Sequence, residues 1–125
     1  MSYRSSEKIK IIMAFRKYTR LGLASERLSP FVAYRRIKGC SRNESEAYDL
    51  LAVYDTVRIL RLLNKKDELR AVNEVYFANN RDIKKTDSVS LRVMRHAYET
   101  NYDERTVYRQ LQYVRKLYSN LRKSY

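Results

Sequence analysis

The 125-residue chain is poor in the residues that bend or cross-link a backbone, with two glycines, one proline and one cysteine. All-β folds need frequent Gly and Pro at their turns, and parallel sheets need Gly-rich connections. The scarcity therefore points to helices joined by short polar turns. A single cysteine, Cys40, excludes an internal disulfide and fits a reducing compartment. Lys8 and Lys10 interrupt the first dozen residues, so no secretory apolar core forms there, and no other apolar run reaches membrane-spanning length. The expectation is a cytoplasmic protein that makes no membrane contact.

Chemistry-bearing clusters are equally scarce. His96 is the only histidine, and Cys40 lies far from it with no paired ligand spacing nearby. A structural zinc site takes four such ligands, and no Gly-rich phosphate loop is present. Glu44, Glu46 and Asp49 gather near the start of a helix, where carboxylates favour the helix dipole. Phosphoryl transfer needs several positioned cations and a nucleophile, more apparatus than so small a helical chain can build around His96. No catalytic residue, metal or cofactor is expected.

What the chain has is positive charge, +13 at neutral pH, unevenly placed. Residues 1–40 carry ten Lys/Arg against two acids, residues 41–84 eight against eight, and residues 85–125 nine against four. A neutral middle between two basic ends suits a scaffold flanked by polyanion-contacting segments.

The hydrophobic pattern predicts an all-α protein, a compact bundle of about five to six helices. Ser6 is the expected cap of a first helix ending near Leu21 at Gly22, with Ile9, Ile12 and Met13 as its apolar stripe. Ser29-Pro30 starts a short basic helix to Lys38, with Phe31, Tyr34 and Ile37 expected to pack inward. Ser41 to Glu44 reads as a capping box opening the longest helix, about Arg42 to Leu63, whose wide apolar stripe suggests a homodimer surface. Asn64 interrupts, and 65–77 reads as another amphipathic helix. The expected organisation is a scaffold over 1–77, a polar linker over 78–86 and a helix-turn-helix over 87–125. In the last, Asp87 caps a helix with Val89, Val93, Met94 and Ala97 inward, Asn101 supplies the turn, and Asp103 caps a final helix.

That final helix carries the functional signal. Burying Val107, Leu111 and Val114 leaves Arg105, Arg109, Gln112 and Lys116 outward, flanked by Tyr108 and Tyr113. Arg can bond two atoms of a guanine edge and Gln two of an adenine edge. The expected base contacts are therefore Arg105, Tyr108, Arg109 and Gln112. Arg92, Arg95, Thr106, Tyr113 and Lys116 are expected on the DNA backbone, joined by Arg35, Arg36 and Lys38.

The run from Asp103 to Arg109, closing at Arg115-Lys116-Leu117, resembles the second helix of sigma-factor region-4-like domains. With the segment from Lys66 to Phe77 it is similar to small phage late-gene transcriptional activators of the RinA and ArpU type, over residues 60–121. The resemblance implies promoter-proximal duplex DNA binding and contact with RNA polymerase. The connection from Asn79 to Asp87 is longer than the corresponding one in that family. Two other readings stay open: an RNA-binding or ribonucleoprotein accessory protein, and a phage-encoded inhibitor of a host nucleoprotein complex.

Overall fold

The computed structural model describes residues 3–25, 27–77 and 88–125. The expected linker over 78–86 and the expected cap Asp87 lie outside the described residues. Among the described residues six α-helices follow in order: α1 (Tyr3–Arg20), α2 (Pro30–Cys40), α3 (Glu44–Leu62), α4 (Lys66–Ala71), α5 (Val89–Thr100) and α6 (Glu104–Lys123). A 3₁₀ turn, Leu23–Ser25, follows α1, and α4 passes directly into a π-helical turn, Val72–Phe77. Among the described residues there is no strand, so the all-α expectation holds.

Several boundaries move for identifiable reasons. Ser6 lies inside α1, which begins at Tyr3, and Gly22 ends that stretch at φ +77°. Ser29 does cap α2, accepting from Val32 N at 3.4 Å, but the helix runs through Gly39 to Cys40. It closes when Ser41 donates both its backbone N–H and its hydroxyl to the Ile37 carbonyl. That commitment takes Ser41 away from the next helix, so Asn43 caps α3 instead, with Oδ1 accepting from Glu46 N at 2.9 Å. Glu46 reaches back past the cap and accepts from Arg42 N at 3.4 Å, so the start of α3 is closed by Asn43 and Glu46, two residues later than the expected Ser41 and Glu44. Asn64, at φ +57°, ends α3, and Ser88 caps α5 by accepting from Leu91 N at 3.2 Å.

α3 is the axis of the core. Leu50, Ala52, Val53, Thr56 and Leu60 are fully buried beneath α1, α2, α4 and α6. Its wide apolar stripe is consumed within the chain, which corrects the expectation that it forms a dimer surface. α1 lies on this core through Ile11, Ile12, Phe15 and Tyr18; of the expected stripe Ile12 is buried, while Ile9 and Met13 are exposed. The cause is an aromatic cluster: the Phe15 ring centre lies 5.3 Å from Tyr76, 5.7 Å from Phe77 and 5.6 Å from Tyr118. Burying a ring of that size contributes about 1.5–3 kcal/mol, enough to decide which face of a helix turns inward. The π-helical turn supplies two of those rings and packs between α1 and α5, so Val75, Tyr76 and Phe77 are buried in succession.

Two other inward faces also differ from expectation. α2 buries Ala33 and Ile37 but leaves Phe31 71% exposed and Tyr34 half-exposed. α5 buries Arg92, Val93, His96 and Ala97 and exposes Met94. α6 buries Val107, Leu111, Val114 and Tyr118 as the spacing predicts.

Candidate nucleic-acid interface

The chain turns sharply into α6. Asn101 adopts φ +61°, a left-handed conformation that asparagine tolerates better than residues with larger or branched side chains. Two residues later Asp103 caps the helix, its Oδ1 accepting from Thr106 N at 2.7 Å. That backbone hydrogen bond, reinforced by the Thr106 side chain, holds the Asp103 carboxyl below its ordinary range. A carboxylate there also complements the positive end of the helix dipole.

With the apolar face of α6 in the core, Arg105, Arg109, Gln112 and Lys116 stand exposed on the opposite side. Their spacing of four, three and four residues makes one stripe about 16 Å long. Arg109 Nη2 donates to Thr106 Oγ1 at 3.4 Å, which leans the guanidinium back along the first turn. Two tyrosines flank the stripe, and each carries a lysine from another part of the chain. Lys8 Nζ lies 5.8 Å from the Tyr108 ring centre, and Lys65 Nζ lies 5.3 Å from that of Tyr113. Burial and the neighbouring Arg115 lower the Lys8 pKa.

The stripe continues past Lys116 to Ser119 and Lys123, again at three and four residues, and there it enters an open groove of about 1010 Å³. One wall of the groove is α1, the other is the C-terminal end of α6, and its far end is the start of α3. Seven cations line it against three carboxylates. Three of the cations are held by those acids: Lys17 Nζ to Glu46 at 2.6 Å, Arg42 Nε to Glu46 at 3.1 Å, and Arg122 Nε to Asp49 at 2.7 Å. The Lys17 contact is the main cause of a lowered Glu46 pKa. Lys10, Arg20 and Lys123 are exposed and enter no ion pair among the described residues.

Other expected contact residues fall elsewhere. Arg92 is only 2% exposed, and its Nη1 donates to the Val75 carbonyl at 3.0 Å. It ties α5 to the π-helical turn, so its expected phosphate contact is corrected. Arg95 is exposed on the same helix. Arg35, Arg36 and Lys38 are exposed on α2, with Arg35 5.7 Å from the Phe31 ring centre and Lys38 4.7 Å from that of Tyr34. Burial first, then the Asp55 carboxylate, and last the nearby Tyr34 raise the pKa of the Tyr125 phenol, and the nearness of Tyr34 places this face by the C-terminal end of α6. The structure therefore does not bring the α2 cations together with Arg105 and Arg109, about 24 Å back along the helix.

The groove cations of α1 were missed by sequence reasoning, because only the fold shows which helix faces the end of α6. Their one visible trace is the spacing that continues the stripe to Lys123. Among the described residues no group of three or more His, Cys, Asp or Glu is placed to hold a metal, and no helix is long and apolar enough to cross a membrane.

Fold and site together define an all-helical, strongly basic protein with a cation-rich stripe along its last helix. Comparison with family models, curated proteins and solved structures gives no match.

Proposed function

We propose that the protein is a sequence-specific, double-stranded DNA-binding transcription regulator that reads the major groove with α6. The observation that carries this reading is the exposed stripe of Arg105, Arg109, Gln112 and Lys116 opposite a fully buried face. The two arginines occupy the first turns of the helix, the part a recognition helix sets deepest against base edges. Arg pairs two-fold with guanine and Gln with adenine, so the stripe carries base-reading side chains as well as charge. Support also comes from proportion: a 12-residue helix, a turn at 101–103 and a 20-residue helix suit a helix-turn-helix.

In this reading Arg105, Tyr108, Arg109 and Gln112 meet bases, while Arg95, Thr106, Tyr113 and Lys116 meet phosphates. Arg35, Arg36 and Lys38 meet a more distant stretch of backbone. The resemblance of 103–117 to sigma region-4-like domains extends the proposal to RNA polymerase as a partner at a promoter, in the manner of phage late-gene activators. The test replaces Arg105 and Arg109 with alanine and compares binding to the DNA flanking the protein's own gene with binding to unrelated duplex. Loss of the preference, with weak salt-sensitive binding retained, is the expected outcome. Unchanged selectivity sinks the reading.

A second reading, RNA binding, rests on exposed rings. Tyr98 is 86% exposed, and Tyr34 and Tyr125 are each partly exposed, Tyr34 with Lys38 over its ring and Tyr125 stacked on Tyr48. Unpaired bases stack on such rings. Higher affinity for single-stranded RNA than for duplex DNA, lost on Tyr98→Ala or Tyr34→Ala, is what it requires.

A further inference from the structure

We infer that the groove between α1, the start of α3 and the end of α6 is a second nucleic-acid site. It takes the phosphodiester backbone of the duplex that α6 meets, without reading its sequence. The inference rests on the proposed DNA binding by α6 and assigns the basic N-terminal helix a place in it.

The first argument is continuity. Arg105, Arg109, Gln112, Lys116, Ser119 and Lys123 recur at four, three, four, three and four residues along α6. They make one uninterrupted line about 27 Å long, the axial length of roughly eight base pairs. The line ends inside the groove, which Lys10 and Arg20 of α1 also line.

Charge is the second argument. Two of the three acids lining the groove are taken: Glu46 is shared by Lys17 and Arg42, and Asp49 is held by Arg122. The third, Glu7, is exposed and enters no ion pair among the described residues, and it stands against Lys10, Arg16, Arg20 and Lys123, which leaves an excess of positive charge. That excess around one open channel is self-repelling until an anion enters. A phosphodiester strand offers a row of single negative charges with no bulk that the channel must enclose.

The third argument is what the groove lacks. Its one aromatic lining residue, Tyr118, is buried in the core and offers no ring for a base to stack on. A site with cations and no stacking platform binds backbone and leaves sequence to the arginines farther up α6.

The experiment neutralises Lys10→Gln, Arg20→Gln and Lys123→Gln together, because these three are exposed and hold no ion pair among the described residues, and glutamine keeps helix propensity. Fluorescence anisotropy with a labelled duplex of about 30 base pairs is followed across a salt titration for the wild type, for this variant and for the Arg105→Ala/Arg109→Ala variant. Binding to single-stranded RNA of the same length is measured in parallel. Losing three phosphate contacts is expected to lower the slope of log K against log salt by about 2–3. Base preference should stay as in the wild type, and the melting temperature should hold or rise, because the substitutions remove repulsion between like charges. An unchanged duplex slope overturns the inference, and if the arginine variant still loses preference, the reading of α6 survives that result. A lowered slope with no effect of the arginine variant keeps the groove and removes the base-reading role of α6. Affinity lost for RNA but not for duplex overturns the inference in favour of an RNA site, and a wild type that binds no duplex overturns both.

Discussion

Arg115 Nη1 donates to the Tyr76 hydroxyl across 2.8 Å, which fastens the middle of α6 to the buried π-helical turn. Tyr76 is otherwise a core ring, so hydroxyl and ring make separable contributions. Tyr76→Phe removes only the acceptor, and half-exposed Arg115 can turn to water, so a loss of about 1 kcal/mol is expected. Tyr76→Ala empties a ring-sized space among Phe15 and its neighbours and should lose about 3–5 kcal/mol. Urea unfolding of both variants checks the pair, and equal losses would contradict the division.

The turn before α6 gives a backbone test. Asn101 sits at φ +61°, so Asn101→Gly should be close to neutral, while Asn101→Val should lose about 1–2 kcal/mol. Melting temperatures decide it. A valine variant as stable as the glycine variant would show that the turn can relax elsewhere.

Burial of His96 predicts a pH dependence. Burial lowers the imidazole pKa from 6.5, against the opposing pull of Glu74 and Glu99. The folded state therefore binds a proton less readily than the unfolded chain. Its contribution to stability is complete above about 6.5 and is lost as pH falls through the lowered native value. Urea midpoints measured downward from pH 8 should decline across that window, and His96→Gln should flatten the decline. A midpoint already flat in the wild type would contradict it.

An orphaned carbonyl marks a place to gain stability. Gln110 is buried on α6, and its Oε1 has no hydrogen-bond partner among the described residues. An unmet buried acceptor costs about 1–3 kcal/mol, whereas an apolar side chain of the same shape costs nothing of that kind. Gln110→Met should raise the melting temperature with no loss of duplex binding. A lowered melting temperature would show that the amide is in fact satisfied.

Local signals in the sequence were dependable where one residue decides the geometry. Asp103 caps α6, Asn101 takes the left-handed position, and Val107, Leu111 and Val114 face the core at the predicted spacing. They fail where two elements compete for one group. Ser41 suits an N-cap by its sequence, but its hydroxyl is drawn to the end of α2. They fail again where distant rings decide orientation: α1 turns to deliver Phe15 to Tyr76, Phe77 and Tyr118, contacts that no local period encodes. Arg92 looks like a surface cation by type, and only the nearby Val75 carbonyl shows why it is buried. The α6 stripe was readable from its period; the opposing wall of the groove needed the packing of α1.

The unneutralised cations around the groove have a practical consequence for thermal assays. Lys10, Arg20 and Lys123 raise the electrostatic energy of the folded chain by facing one channel, and any mobile anion relieves part of that energy. Added salt, heparin or polyphosphate should therefore raise the melting temperature. A melting shift on adding an oligonucleotide then reports charge relief, and only a comparison between two duplexes of equal length and different sequence reports recognition.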